Sequence, residues 1–469
     1  MKLTILGGGG MRMPAFVRAV LAQEPAAGGA APRFDQICLL EPDQPRRDTI
    51  GRLAVEVAAA LGQAGRVAVT ADAEQALTGA DFVFSAIRVG GDRGRVIDEQ
   101  VALRRGLVGQ ETTGPGGCAM ALRTIPVVLG YCELIARVAP HATLINFTNP
   151  AGLITQAISR QGAVRAVGVC DTPGGTAEHL AAFLGVGQDA AEFGYAGLNH
   201  LGWITSVLVN GDERIGEIIG RFGELQASDH RFAAFDPALI RRVGAVPTEY
   251  VYFYYDPQRY VRGVATAGAS RGQDLERLNG ELLAAVAKAF ADGRIQDAWA
   301  AYSGLLGVRR ATYMRTDMHG DSGQAAARAQ QAAAEPPALG AAQIGGYEAL
   351  ALRVIDGLTG ARPGRVIVNL RNDGALPALD ADAVVEVQAQ VSAAGLVPLP
   401  APELPRSARA LVEQVKEYEL ATVEAAMTGD AQLAAVALAL HPLVPGSTVA
   451  CELLADYRDQ HGASLAYLR

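Results

Sequence analysis

The chain has 469 residues, half of them hydrophobic, and a formal net charge of −8. That length exceeds what one hydrophobic core serves, so two packed lobes are expected, and the acidic balance, with no arginine run interleaved with aromatics, argues against nucleic acid as a partner. Five cysteines (Cys38, Cys118, Cys132, Cys170, Cys451) form no C-x-x-C pair, which fits a reducing compartment rather than a disulfide framework. Strand-like residues begin at Lys2 where a secretory leader would stand, and no apolar run reads as long enough to cross a bilayer, so a cytoplasmic location with no membrane partner is expected.

In chain order, L-T-I-L-G (3–7) predicts a strand, and G-G-G-M-R-M-P leads into a helix reaching about residue 23. Q-I-C-L-L-E-P (36–42), V-A-V-T (67–70) and D-F-V-F-S-A-I (81–87) predict three more strands. A helix over about 119–138 precedes T-L-I-N-F-T (143–148) and A-V-G-V-C (166–170). Continuous Val, Ile and Leu runs separated by helices are the pattern of a parallel sheet covered on both faces. The fold class that follows is α/β, with a Rossmann-like doubly wound parallel sheet over residues 1–200 that binds a dinucleotide. Residues 201–469 mix helical segments (274–291, 405–428) with strands (365–370, 383–387) and read as a C-terminal α+β lobe closing over the first. The Ala/Gln/Pro-rich stretch 322–343 reads as a surface segment of low complexity.

Gly7, Gly8, Gly9 and Gly10 directly follow the first strand, where a backbone without Cβ atoms approaches a pyrophosphate and the next helix supplies N–H donors. Arg12 occupies the usual third glycine position, so the strict pattern is broken. Glu41 ends the second strand, where a carboxylate accepts from the ribose diol and repels a 2′-phosphate, which favours NAD over NADP. The long gap before it is accounted for by a loop insertion over 25–33. The alternative is a glycine-rich turn that binds nothing.

R-V-G-G-D-R-G-R-V-I-D-E (88–99) and G-L-V-G-Q-E-T-T-G-P-G-G (106–117) have no clean periodicity and read as loops at the carboxyl ends of strands, where α/β proteins keep their sites. Arg88, Arg93 and Arg95 would present guanidinium forks to an anion, and Glu111 would orient a neighbour; the alternative is a salt-bridged surface loop. Asn149, before the proline of N-F-T-N-P, stands at the same station. Cys170 in A-V-G-V-C-D-T-P and His200 in G-L-N-H-L-G-W form a soft-ligand pair for a divalent metal, although two protein ligands are fewer than a closed zinc site uses. Both are also residue types that serve structure alone.

Taken together, R-V-G-G, D-E, G-Q-E-T-T-G-P-G-G, R-T-I-P, N-F-T-N-P-A-G, G-V-C-D-T-P and G-L-N-H-L-G-W resemble the NAD- and metal-dependent glycosidases of glycoside hydrolase family 4. The chain is most similar to the 6-phospho-β-glucosidase branch. P-T-E-Y-V-Y-F-Y-Y (247–255), V-N-L-R-N-D-G (368–374), V-K-E-Y-E (415–419) and A-L-H-P-L-V (439–444) follow in the family's order, so the likeness covers essentially the whole chain. The resemblance implies a hydrolysis outside the two-carboxylate scheme. NAD oxidises C3 of the sugar, a tyrosinate removes the acidified C2 proton while Mn²⁺ or another divalent metal stabilises the charge, the aglycone leaves, water adds and NADH restores C3.

Carried over by position, the resemblance implies Cys170 and His200 as metal ligands, Tyr250 as the base with Glu111 raising its basicity, and Arg95, Asn149 and Arg271, with Arg88, as substrate-binding residues. Tyr252, Tyr254 and Tyr255 compete with Tyr250, which is favoured because it follows the P-x-E turn. Asp171 departs from the β branch, which often carries asparagine there; the α branch carries aspartate, used as general acid. The anomer therefore stays open, as does G-G-G-G-M-R-M-P, which lacks the family's usual serine and threonine. The implied partner is a small phosphorylated glycoside, in a homo-oligomer (dimer or tetramer). A 6-phospho-α-glucosidase or α-galactosidase-type relative, an NAD-dependent hydroxy-acid or sugar dehydrogenase on the same fold, and a non-catalytic NAD sensor are the competing readings.

Overall fold

All four side chains of Phe82–Ser85 and four of the five of Lys2–Leu6 are buried, as continuous apolar strands must be when helices cover both faces of a sheet. In the computed structural model, which describes residues 1–22, 34–313, 339 and 346–469, these are β4 and β1. With Gln36–Leu40 (β2), Val67–Thr70 (β3), Thr143–Asn146 (β5) and Arg165–Gly168 (β6) they make a parallel sheet in the order β3-β2-β1-β4-β5-β6. That order reverses direction between β1 and β4, the crevice where dinucleotide-binding folds place their ligand.

The C-terminal half does not build a sheet of its own. Gly364–Arg371 (β11) pairs antiparallel with β6 through Asn369 and Gly168, and Val384–Ser392 (β12) lies between β11 and Ala191–Leu198 (β7). The hairpin of β7 and Leu201–Val209 (β8) follows, edged by Val246–Pro247 (β10), while Asp212–Glu213 (β9) and Gly395–Pro398 (β13) pair beside it. The thirteen strands among the described residues thus form one sheet. The physical reason is that the β6 edge would otherwise present unpaired backbone groups, and β11 covers it. The hairpin also runs across residue 200, so the chain passes from one half to the other inside a strand pair.

Two sequence readings are corrected here. Residues 88–99 are not a loop: after a turn at Gly90 and Gly91, both at positive φ, a helix spans Gly91–Leu103. Its periodicity is hidden because it buries Arg95, Asp98 and Glu99 beside Val96, Val101 and Ala102; buried charges with partners interrupt the apolar stripe that marks a helix. Likewise, the Pro115–Val138 helix is long and apolar enough by composition to cross a membrane, contrary to the expectation of no such run, yet two-thirds of its most apolar window is buried inside the fold. It carries Arg123, whose side chain is fully enclosed. The low-complexity segment 322–343 and the insertion 25–33 lie essentially outside the described residues.

The helices Arg271–Ala291 and Ile295–Ala311 lean on the cofactor half through a separate small core in which Leu282, Val286, Trp299 and Tyr302 meet Met11, Ile50, Leu53 and Val57. Ser270 and Gln273 start the first of these helices with a reciprocal capping box. This contact sets the Arg271 end of the helix against the Gly91–Leu103 helix, where Glu99 accepts from the Gly272 N–H at 2.6 Å.

Arg123 forks both carboxylate oxygens of buried Asp98, at 2.7 and 2.5 Å, and His461 reaches the same carboxylate at 2.8 Å. Removing one member of such a buried pair strands the other charge. Arg123→Met is expected to lower unfolding free energy by about 3–5 kcal/mol, read by denaturant unfolding; a loss below about 1 kcal/mol, the level of an exposed pair, would contradict it.

Candidate active site

The glycine turn comes first because it is made by close approach. Gly7 and Gly8 both donate to the Leu40 carbonyl, at 3.1 and 2.9 Å, which clamps the turn on β2. A Cβ at Gly7 would stand 2.7 Å from the Ala86 carbonyl oxygen, at Gly8 2.6 Å from Leu39 Cβ and at Gly9 2.7 Å from a Glu41 oxygen. Gly10 is looser, with Gly7 O at 3.1 Å. Glu41 accepts from the Gly9 N–H at 2.9 Å with one oxygen and from the Asp43 N–H at 3.0 Å with the other, so each oxygen keeps a lone pair. Three glycines forced by packing at the switch point, beside a buried carboxylate, fit a dinucleotide.

Arg12, in place of a third glycine, lies over the Tyr347 ring with its guanidinium 5.0 Å from the centroid. Burial alone would lower its pKa, but Tyr347, Asp171, Glu348 and Tyr313 around it raise it. Arg309 is pressed the other way, to about 9, by burial and by the nearby charges of Arg12, Arg271 and Arg88. Arg271 donates to the Thr312 hydroxyl at 3.0 Å and to the Arg309 carbonyl at 2.9 Å. These four arginines form an electropositive patch suited to an anionic group.

Arg88 and Arg95 converge on Glu111, the Arg95 contact at 2.8 Å, and Arg95 also holds Glu99 at 2.7 Å. Burial would raise the Glu111 pKa; the two arginines hold it down at about 2. The side chain of Arg93, the other arginine of this run, makes no hydrogen bond or ion pair among the described residues. Asn149 precedes a cis proline and is partly exposed.

Cys170 follows β6 and stands just before the Thr172–Phe183 helix, whose Thr172 donates to the sulfur from backbone and hydroxyl. Burial, with Glu386 and Asp171 nearby, pushes its thiol well above the usual range; a cation that displaces the proton reverses that. His200 sits in the two-residue turn between β7 and β8 at φ 63°, a left-handed conformation that a histidine adopts at a strain of roughly 1–3 kcal/mol. Its Nδ1 is 2.8 Å from the Thr112 hydroxyl, and burial lowers its pKa to about 4, so it is a neutral imidazole near pH 7.

The Tyr250 ring lies flat on the His200 ring, centroids 3.7 Å apart and planes within 2°. Burial raises the Tyr250 pKa; Tyr313, donating to its hydroxyl at 3.1 Å, lowers it, and the charges of Cys170, Glu249 and Glu111 raise it further. His200 thus touches Tyr250 directly, and Cys170 is close enough for its charge to act on the same tyrosine. Tyr252 is fully buried in a one-turn helix, Tyr255 meets the Trp203 indole N–H at 3.3 Å, and Tyr254 stacks on His441. Glu249, lifted to about 7 chiefly by burial, and Asp171, whose charge reaches Arg12, Glu249 and Tyr313, complete the wall. No cluster of three or more His, Cys, Asp or Glu side chains able to hold a metal occurs among the described residues. A thiol and a neutral imidazole are a fitting donor pair for a divalent ion whose remaining positions stay open.

Sequence reasoning did not single out Thr112, Tyr313, Arg309 or Glu386. Thr112 stands inside the quoted G-Q-E-T-T run, and Glu386 is a lone acid in the apolar A-V-V-E-V strand, which was a usable signal. Tyr313, at the end of a helix, gave none.

Fold and glycine turn together define an α/β protein of the dinucleotide-binding type, with Cys170 and His200 at the carboxyl edge of its sheet. The sequence profile of family 4 glycosyl hydrolases matches residues 2–186, and that of the family's C-terminal domain matches residues 195–444; the chain belongs to this family of glycoside hydrolases. A probable 6-phospho-β-glucosidase of Bacillus subtilis (strain 168) is 29% identical over 477 residues, covering 99% of this chain and 97% of that protein. The structure of the 6-phospho-β-glucosidase of Thermotoga maritima with manganese, NAD⁺ and glucose-6-phosphate superposes with a TM-score of 0.78 at 24% identity, over 98% of both chains. A 6-phospho-α-glucosidase from gut microorganisms, in complex with NAD and Mn²⁺, gives a TM-score of 0.80 at 21% identity, over 99% and 98% of the two chains.

If Cys170 holds a cation, binding must displace the thiol proton that burial and the nearby acids keep in place. Mn²⁺ affinity should rise about tenfold per pH unit from about pH 6 to 8, with one proton released in calorimetry in two buffers. An affinity independent of pH would contradict this.

Proposed function

We propose that the chain hydrolyses 6-phospho-β-glucosides, with residues 1–200 holding NAD and residues 201–469 supplying the base and the walls of the sugar site. The observation that carries the reading is the flat contact of Tyr250 on His200, with Cys170 near enough for its charge to act on Tyr250. Gly7, Gly8, Gly9, Gly10 and Glu41 hold the dinucleotide, and Cys170 and His200 hold Mn²⁺ or another divalent ion. When bound, NAD supplies a reversible two-electron acceptor for C3 of the sugar and the cation a Lewis acid for the neighbouring oxygens.

Tyr250 removes the proton at C2. A tyrosine at its ordinary pKa near 10 is a weak base at neutral pH, and here burial and the surrounding acids raise it further, so a cation on the adjacent imidazole and thiolate is what brings it into range. Tyr313 assists by donating to the Tyr250 oxygen. Arg271, with Arg88 and Arg95, meets the anionic and hydroxyl groups of the sugar, the 6-phosphate falling on the patch that includes Arg12 and Arg309; Asn149 contributes its side-chain amide. Glu111 keeps two of these arginines in place and adds negative charge beside Tyr250. Asp171, whose side chain makes no hydrogen bond among the described residues, is the general acid of this reading: its carboxylic acid form gives a proton to the leaving oxygen and is left as carboxylate.

That unspent carboxylate also favours a second reading, a 6-phospho-α-glucosidase. A relative named 6-phospho-α-glucosidase 1 from Lacticaseibacillus paracasei, 42% identical over 140 residues (29% of this chain and 32% of that protein), supports it as well. We further infer a cytoplasmic homo-oligomer with neither nucleic acid nor membrane as partner; Val436 and Leu440, one turn apart and exposed on the Ala431–Leu440 helix, support a subunit contact.

Turnover of p-nitrophenyl β-glucoside 6-phosphate and its α anomer, with Mn²⁺ and NAD⁺ each supplied or withheld, tests the proposal. The β anomer should be cleaved only with both, without NADH accumulating; cleavage lacking either, or steady NADH release, would contradict it. Tyr250→Phe should lower kcat by about 10²–10⁴-fold with NAD affinity retained, and Asp171→Asn should depress the α anomer more than the β. Full activity in Tyr250→Phe would move the base elsewhere.

A further inference from the structure

The side-chain oxygen of Gln110 receives the backbone N–H of Thr112 at 2.6 Å and that of Thr113 at 2.7 Å. Backbone N–H groups can only donate, so the amide's orientation is fixed with oxygen on this side. The Thr112 hydroxyl is 2.8 Å from that same oxygen. A carbonyl oxygen cannot donate, so the hydroxyl spends its single proton there. The same Thr112 oxygen is 2.8 Å from His200 Nδ1, and with its proton spent it can only accept. Nδ1 must then carry hydrogen, and in a neutral imidazole the lone pair falls on Nε2.

We propose that Gln110 and Thr112 are positioning residues that hold His200 as its Nδ1–H tautomer, so that Nε2 is presented as a lone pair to a divalent cation shared with Cys170. This rests on the assignment of Cys170 and His200 as the metal pair and adds what sets the histidine's chemistry. Gln110, Thr112 and His200 are each less than a tenth exposed, so water does not compete for the hydroxyl. The Tyr250 ring, parallel to the imidazole at 3.7 Å, limits tilting of the plane, while the Nδ1 bond fixes rotation within it. The three-member chain also crosses from the turn before the Pro115–Val138 helix to the β7–β8 turn, two segments 88 residues apart. Without it the imidazole exchanges between tautomers, and every molecule with hydrogen on Nε2 blocks the cation.

The lock is distinguishable from mere packing because it predicts a nitrogen spectrum. In metal-free protein labelled with ¹⁵N-histidine, with the His200 signals identified by their loss in His200→Asn, the protonated nitrogen should be Nδ1. It should remain so in Thr112→Ser. Gln110→Met frees the hydroxyl to donate to Nδ1 and should transfer the proton to Nε2; Thr112→Val should leave a mixture. Free Mn²⁺ measured by electron paramagnetic resonance should report about 10–100-fold weaker binding in Gln110→Met and Thr112→Val and near wild-type binding in Thr112→Ser. A wild-type spectrum with the proton on Nε2, or unchanged Mn²⁺ affinity in both disrupting variants, overturns the proposal. Cys170→Ser separates the underlying assignment: wild-type Mn²⁺ affinity there would remove the metal pair itself, while the nitrogen spectrum still decides the tautomer.

Discussion

The arrangement of the site depends on one buried carboxyl at the seam between the parallel and antiparallel parts of the sheet. Glu386 on β12 accepts from the Tyr195 hydroxyl at 2.5 Å, Asn369 at 2.9 Å and Asn199 at 3.2 Å. Tyr195 lies on β7, Asn369 on the strand that pairs with β6, and Asn199 beside His200. The carboxyl therefore ties the end of the strand that delivers Cys170 to the turn that delivers His200. Burial lifts its pKa, the three donors pull it back, and it rests at about 7. An acid enclosed without such partners would destabilise the fold by several kcal/mol, so the seam is specific to this register.

Around that seam the charges fall into two linked groups. Arg12, Arg88 and Arg271 act on Arg309, Glu249 and Glu111 act on Tyr250, and the Arg88–Glu111 ion pair joins the two. On the proposed reading the first group meets the anionic end of the substrate and the second surrounds the carbon that loses its proton. Neither the nearby acids nor burial makes Tyr250 a base, since both raise its proton affinity; on the proposed reading a cation held by Cys170 and His200 would supply the compensating charge. The strained turn at His200 fits this, because left-handed backbone at a non-glycine residue persists where surrounding structure over-determines it.

The parallel strands were legible because their apolar runs are uninterrupted, and observed boundaries of β1 to β6 fall within or within two residues of the predicted ones. The family was legible because local motifs carry it. Three things were not. The Gly91–Leu103 helix was obscured by buried ionic residues whose partners, Arg123 and Glu111, lie elsewhere in the chain. The merging of the C-terminal strands into the first sheet depends on a single pairing, Asn369 with Gly168, that no local pattern announces. Tyr313 comes to Tyr250 from a helix end 63 residues away, a contact that only packing creates.

The most direct measurement of the central claim is hydrolysis of the 6-phospho-β-glucoside in D₂O, followed by proton NMR of the released glucose 6-phosphate. Removal of the C2 proton by a solvent-exchanging tyrosine predicts a product carrying deuterium at C2. Product that keeps its protium there would contradict the account, whatever its rate or cofactor requirement.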